Sequence, residues 1–293
     1  ATIEPANLCN LRCPLCVTGN GQIKRKAGLL DFPTFKKFLD EVGDFLFYML
    51  LYQQGEPYLN NDFLRFVRYA KRKKIFVTTS TNGHYLGSEN AAKTVASGLD
   101  SMIVSIDGID QASYEIYRVG GELEKVKSGV RNLVREKKKQ KTQTPKIYIQ
   151  FIVMQHNQSQ IAEMKNLTKS LGADKLLIKT VQVESAEEAT NWLPAESKFR
   201  RYHFNGNSIR PKRLAAGPCP RPWTSTLMNC DGSLVPCCFD KNGQHPMGQV
   251  KQTSHFEKAW HSDEYSDFRT KMLRERRSLD ICSNCSQGLR LYL

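Results

Sequence analysis

Ile75-Phe-Val-Thr-Thr-Ser-Thr-Asn-Gly83 and, one helix length later, Ser101-Met-Ile-Val-Ser-Ile-Asp-Gly108 are short apolar, β-branched runs, each ending in small polar residues and a glycine. Between them, Ala91 to Ser97 has the spacing of an amphipathic helix. Strand, helix, strand in this order is a βαβ unit, the crossover that parallel strands require. The pattern recurs on both sides. Strand-like runs occupy Ala1 to Ile3, Phe47 to Tyr52, Ile75 to Thr79, Ser101 to Ile106, Lys146 to Val153 and Lys175 to Ile178. Helix-like stretches lie between them at Phe32 to Val42, Asp62 to Lys73, Ala91 to Ser97, Leu123 to Lys138 and Gln158 to Leu171. Asp31 ahead of Phe32-Pro33 and Asn157 ahead of Gln158 read as N-caps, and Gly172 as a C-terminal stop. The alternation predicts an α/β fold, a parallel sheet covered by helices. In such barrels chemistry gathers at the C-terminal ends of the strands. Gly55-Glu56-Pro57, Ser80 to Gly83 and Ser105 to Gly108 all fall there.

The first strand leads into Cys9-Asn-Leu-Arg-Cys13-Pro-Leu-Cys16, a C-x3-C-x2-C spacing. Thiolates hold iron–sulfur clusters, and a cubane has four irons to coordinate. Three local cysteines leave one iron open, as a catalytic zinc keeps one position free of protein ligands. Zinc is the alternative reading, although zinc sites usually add a second C-x2-C or two histidines.

With these motifs in this order, the chain resembles the radical S-adenosylmethionine (SAM) superfamily. The resemblance implies a partial (β/α)6 TIM-like barrel, a [4Fe-4S] cluster on Cys9, Cys13 and Cys16, and SAM chelated to the open iron by its amino group and carboxylate. Gly55, Glu56 and Pro57 correspond to the element that receives the SAM amino group, with Gln54 where the family has a further glycine. Ser80 and Asn82, in Ser80-Thr81-Asn82-Gly83, correspond to a strand end near the SAM ribose and carboxylate. Ser105 and Asp107 close another strand, and Arg118, in Tyr117-Arg118-Val119-Gly120-Gly121, corresponds to an arginine set against the SAM carboxylate. Leu15 departs from the aromatic residue usual before the third cysteine, so the adenine contact there is aliphatic or comes from elsewhere. Taken singly, Glu56 and Asn82-Gly83 suit turns, and Ser105 and Asp107 suit helix caps. Their joint placement at successive strand ends favours the functional reading.

A second cysteine group follows. Residues 1–183 read as the barrel, 184–216 as a connector without clear periodicity, and 217–293 as a small Cys-rich domain with a β-hairpin and a helix. Asp231-Gly232, between Thr226-Leu-Met-Asn229 and Ser233-Leu-Val235, marks the hairpin, and Glu264 to Arg274 the helix. Cys219, Cys237, Cys282 and Cys285 can converge on one metal, two at the hairpin base and two after the helix; a structural zinc ribbon suits them too. The array resembles the SPASM/twitch domains that follow many radical SAM barrels and carry auxiliary [4Fe-4S] clusters. With six cysteines after the barrel, it implies one fully ligated cluster, the shorter twitch form, similar to that of aminocyclitol dehydrogenase-type enzymes. Two cysteines are left over. Cys238 reads as a packed thiol or alternative ligand, and Cys230 as a candidate hydrogen-atom donor to a substrate radical, the catalytic role a cysteine takes in a related epimerase.

Composition sets limits. The chain has 293 residues and nine cysteines, with no apolar run near the ~20 residues that span a bilayer and no signal peptide. Cysteine use without a secretory signal points to metal ligation in a reducing cytoplasm. The formal charge of +14 raises nucleic-acid binding. The basic runs Lys71 to Lys74, Arg135 to Lys141 and Arg274 to Arg277 carry no recognised module or interleaved aromatics, so a solvated basic face is the better reading. The chain begins on a strand without methionine, which reads as a trimmed terminus.

The resemblance implies a radical SAM oxidoreductase. An electron donor of flavodoxin or ferredoxin type reduces the first cluster, SAM yields a 5′-deoxyadenosyl radical, and that radical takes a hydrogen atom from the substrate. Electron loss to the auxiliary cluster gives dehydrogenation; hydrogen return from Cys230 gives epimerisation. The absence of a visible leader-binding domain tilts the substrate toward a small sugar- or aminocyclitol-like molecule, with peptide maturation second. A two-cluster electron carrier or scaffold is the non-enzyme alternative, and it would need neither Glu56 nor Arg118.

Overall fold

The computed structural model of the chain describes residues 1–212, 219–252 and 255–285. Gly217, the expected start of the C-terminal region, and the residues after Cys285 lie outside them. Eleven strands are present among the described residues: β1 Thr2–Ile3, β2 Tyr48–Leu50, β3 Phe76–Thr81, β4 Ser101–Ser105, β5 Lys146–Val153, β6 Lys175–Thr180, β7 Tyr202–Phe204, β8 Ile209–Pro211, β9 Leu227–Met228, β10 Ser233–Val235 and β11 Gly248–Gln249. Nine form one sheet in the order β11-β10-β9-β1-β2-β3-β4-β5-β6, and β7 pairs with β8 apart from it. The pairs from β1 to β6 are all parallel, as the alternation predicts. β9, β10 and β11 form an antiparallel meander turning at Asp231-Gly232, where Gly232 takes a φ of +90°.

That meander is not a free-standing module. β1 pairs on one side with β2, Thr2 opposite Leu50, and on the other with β9, Thr2 opposite Leu227 and Ile3 opposite Met228. The expected C-terminal domain thus continues the barrel sheet past its first strand. The stretch read as a connector also holds structure, a helix Ala186–Trp192 capped by Ser185 and the β7–β8 hairpin.

Local chemistry explains the barrel helices. In Phe32–Val42, the Asp31 carboxylate accepts from Thr34 N at 2.7 Å, and Pro33 sits in the first turn. The helix buries Phe35, Phe38, Leu39 and Val42, one stripe at i, i+3, i+4 and i+7. Gly172 ends Ile161–Ser170 with φ +73°. Asn157 does not cap in the expected way. Its Oδ1 accepts from Met154 N at 2.8 Å, and its Nδ2 donates to Asp107 O at 2.9 Å and Ile152 O at 3.0 Å. The helix Gln111–Tyr117 is capped by Asp110 and Ser113, which leaves Asp107 free for other work.

β5 shows how the sheet makes a site. Ile147, Ile149, Phe151 and Val153 are fully buried against the helices, each contributing about 1.5–3 kcal/mol. The alternate residues Lys146, Tyr148, Gln150 and Ile152 are half-buried. Parallel strands are usually apolar on both faces; here the second face looks into the lumen of an open barrel. By register, Thr78, Ser80, Ser101, Ser105, Gln150 and Lys179 share that face. The lumen is therefore polar toward its C-terminal mouth. Within the basic runs, Lys71 pairs with Asp100 at 2.6 Å and Lys137 with Asp174 at 3.3 Å. No helix of the described residues is long and apolar enough to cross a membrane.

Candidate active site

The loop after β1 carries Cys9, Cys13 and Cys16, and neighbouring strand ends hold it in place. Cys16 N donates to Cys13 O at 3.1 Å, and Arg12 N to Val119 O at 3.0 Å. A Cβ on Gly19 would stand 2.6 Å from Cys13 N, so only glycine lets the loop fold back over that cysteine. Gly55 has φ +70°, and a Cβ there would meet Leu8 O at 2.5 Å and Ala6 O at 2.6 Å. This close approach brings Glu56 N to Leu8 O at 2.7 Å and locks the Gly55-Glu56-Pro57 turn onto the cysteine loop.

All nine cysteines are free thiols. Three N–H groups address the sulfurs of the first group: Leu11 N lies 3.4 Å and Asn82 Nδ2 3.7 Å from Cys9 Sγ, and Arg118 Nη1 lies 3.8 Å from Cys13 Sγ. Burial pushes the Cys9 thiol up to about 11 and raises Cys13 as well. Such sulfurs ionise when a cationic centre joins them. Among the described residues, no three His, Cys, Asp or Glu crowd closely enough for one metal ion. Three cysteines on one loop, with N–H donors at two of the sulfurs, fit an iron–sulfur cluster once ionised.

Glu56 is buried, and burial pushes its carboxyl up to about 7. Its oxygens accept from Thr81 Oγ1 at 2.7 Å, Asn82 N at 2.8 Å and Tyr58 N at 3.2 Å. Asn82 extends a further chain. Its Nδ2 donates to Asn10 Oδ1 at 2.8 Å, and its Oδ1 lies 3.0 Å from His84 Nδ1. Glu122 N donates to His84 Nε2 at 2.8 Å. That bond assigns the ring proton to Nδ1, so His84 donates to Asn82.

Asp107 is wholly buried and accepts from Arg118 Nε and Nη2, each at 2.6 Å, and from Ile152 N at 2.6 Å. Both nitrogens meet Oδ2, while Oδ1 takes Ile152 N, and the remaining Nη1 of Arg118 lies 3.8 Å from Cys13 Sγ. Ser80 and Ser105 stand on the lumen faces of β3 and β4, in register with Ile103 and Gln150. Beside them a cavity of about 270 Å³ opens, lined by Leu15, Tyr117, Gln150, Ile152 and Lys179 among others.

The second cysteine group also comes together. Cys219, Cys237, Cys282 and Cys285 line one small enclosed cavity with Arg221 and Arg276. Arg276 Nη2 lies 3.9 Å from Cys285 Sγ. Cys238 stands outside that lining, with Arg221 Nη1 3.8 Å from its sulfur. Cys230 is at neither place. It is 3% exposed, its backbone N donates to Glu4 Oε2 at 3.1 Å, and burial beside Glu4 pushes its thiol up to about 12.

Sequence reasoning missed Glu4 and Arg25. Glu4 takes Arg25 Nη1 at 2.7 Å and Nη2 at 2.6 Å, and also Gln54 N at 3.3 Å. Arg25 Nε donates to Lys241 O at 2.9 Å. This buried hub joins the end of β1, the turn before Glu56, the cysteine loop and the β9–β10 turn. Nothing in local spacing announces it.

The comparisons with known proteins agree with this geometry. The radical SAM superfamily model matches residues 3–166, and the SPASM iron–sulfur cluster-binding domain model matches residues 219–286. The chain belongs to the radical SAM superfamily, whose cofactors are SAM and a [4Fe-4S] cluster, and its SPASM domain brings an auxiliary cluster. Among curated relatives, the tungsten-containing aldehyde ferredoxin oxidoreductase cofactor-modifying protein of Pyrococcus furiosus is 26% identical, covering 97% of this chain and 86% of its own. Among solved structures, BtrN in complex with AdoMet and 2-DOIA has TM-score 0.60 at 17% identity, covering 98% and 92% of the two chains. SuiB of Streptococcus suis bound to precursor peptide SuiA has TM-score 0.66 at 14% identity, covering 98% and 70%. These structural likenesses confirm the partial-barrel fold.

Proposed function

We propose that this chain is a cytoplasmic oxidoreductase that dehydrogenates a small sugar- or aminocyclitol-like molecule. When bound, SAM and the two clusters supply reductive cleavage to methionine and a 5′-deoxyadenosyl radical, hydrogen-atom removal from substrate carbon, and an outlet for the second electron. Cys9, Cys13 and Cys16 would hold the SAM-binding cluster, and Cys219, Cys237, Cys282 and Cys285 the auxiliary one. Glu56 would take the SAM ammonium with the Gly55-Pro57 turn, and Arg118, steered by Asp107, its carboxylate. Ser80, Asn82 and Ser105 would line the rest of that pocket. A flavodoxin or ferredoxin would deliver the first electron.

The observation that carries the dehydrogenase reading is the four-cysteine cavity. A cluster with four protein thiolates has no iron open to substrate and is suited to electron transfer. The burial of Cys230 away from the cavity beside the first cluster weighs against epimerisation. BtrN, solved with AdoMet and 2-DOIA, gives the small-molecule substrate a precedent, whereas SuiB, solved with a precursor peptide, favours peptide modification as the second reading. A mere electron carrier leaves the buried Asp107–Arg118 pair beside the cysteine loop without a purpose.

The test is anaerobic reconstitution followed by dithionite and SAM. Release of 5′-deoxyadenosine with about eight irons per chain supports the proposal. Intact clusters with no 5′-deoxyadenosine refute the enzyme reading, and about four irons with one zinc refute the auxiliary cluster.

A further inference from the structure

The cavity at the barrel mouth carries a charge imbalance. Five charged side chains line it: Lys179, Glu184, Glu188, Arg201 and Lys241. Lys241 and Glu184 pair at 3.4 Å. Glu188 Oε2 accepts from Glu184 N at 2.6 Å, a bond that leaves its negative charge in place, so the lining carries a net charge of +1. Two cations remain. Arg201 reaches only neutral oxygens, Thr180 Oγ1 at 3.3 Å and Gln182 Oε1 at 3.4 Å. Lys179 makes no hydrogen bond or ion pair among the described residues, and it stands opposite Ile152 in register, on the lumen face that also carries Gln150. A net positive charge on a concave wall focuses a positive potential into the cavity and favours an anion there.

We infer that the substrate carries an oxyanion, a phosphate or a carboxylate, which Lys179 and Arg201 bind at the barrel mouth. This rests on the proposed function, because it assigns the cavity to that enzyme's substrate. SAM's own carboxylate is assigned to Arg118, which is held by Asp107 beside Cys13 and does not line this cavity. Leu15 and Val17 of the cysteine loop do line it. A substrate anchored by its anion on Lys179 and Arg201 therefore lies in a cavity that the cysteine loop helps to wall. Arginine gives forked recognition of a planar or tetrahedral oxyanion, and lysine a point charge.

The test is calorimetric binding of inorganic phosphate and of succinate, with glycerol as the neutral probe, to anaerobically reconstituted protein loaded with SAM. Phosphate or succinate, but not glycerol, is expected to bind. Lys179→Met and Arg201→Gln are each expected to weaken that binding about tenfold or more, as loss of a charge-assisted contact does. Lys179→Arg, which keeps the charge, should retain it and so separates loss of charge from misfolding. Preference between phosphate and succinate identifies which oxyanion the substrate bears. Failure of both to bind, or equal binding by the neutral variants, overturns the inference. The functional reading is judged separately by 5′-deoxyadenosine release from the unmutated protein.

Discussion

Replacing Glu4 by glutamine is expected to destabilise the fold by about 3–5 kcal/mol, the range seen when one partner of a buried ion pair is removed. Glu4 has no exposed side-chain surface, and Arg25 keeps only 8% of its own. The carboxylate accepts four N–H groups: two from the Arg25 guanidinium, one from Gln54 and one from Cys230. Glutamine keeps the shape but turns one acceptor into a donor facing these groups, and it leaves Arg25 without a counter-charge. Two charge-assisted hydrogen bonds at about 1.5–3 kcal/mol each give a similar figure. Urea unfolding of the reconstituted protein, followed by fluorescence, suits the question because Trp192, Trp223 and Trp260 all lie in the second half of the chain. Glu4 lies at the other end of the chain, so a shifted fluorescence transition reads the coupling between the two. The double change Glu4→Met with Arg25→Met removes both charges and should recover most of the loss. A loss below about 1 kcal/mol for Glu4→Gln, or no recovery in the double variant, refutes the view that this pair ties the β9–β10 turn to the barrel.

Gly55→Ala should lose about 1–2 kcal/mol from the left-handed backbone alone, and the clash with Leu8 O and Ala6 O should push the turn off the cysteine loop; iron analysis is expected to show roughly half the metal, and full loading would count against that contact. Glu56 has a folded-state pKa of about 7 against 4.5 for the free group, so its contribution to stability is fully present below pH 4.5 and is lost as pH rises toward 7. Between about pH 5.5 and 8 the gap in stability between wild type and Glu56→Gln should shift by about 2 kcal/mol in favour of the variant, whereas a gap independent of pH would refute the burial argument. SAM's ammonium favours the ionised carboxyl, so SAM affinity in direct binding should fall below pH 7, by up to about tenfold per unit. Asp107→Asn should release Arg118 and weaken SAM binding by about ten- to a hundredfold; an unchanged dissociation constant would show that Arg118 does not meet SAM. Cys282→Ser should remove about half the iron while SAM cleavage persists, and loss of both together would contradict separate clusters.

Short-range spacing carried the parts of this protein that the chain encodes locally. Cys9, Cys13 and Cys16 lie within one loop, so their meeting needs only a turn, and the spacing alone suggested a multi-iron site. The strand ends at Glu56, Asn82 and Asp107 were legible because a βαβ unit delivers every C-terminal end to the same rim. The hairpin at Asp231-Gly232 followed from turn chemistry. Asn157 was misread because a cap and a loop brace use the same side-chain amide, and only the position of Asp107 O and Ile152 O distinguishes them. The pairing of β1 with β9, the Glu4–Arg25–Cys230 hub and the cations of Lys179 and Arg201 on one cavity wall were decided by tertiary structure. Each brings together groups far apart along the chain whose residue types are ordinary, so no local pattern marks them. Packing selects them through burial: a carboxylate such as Glu4 can lose its water only where the fold has already placed an arginine.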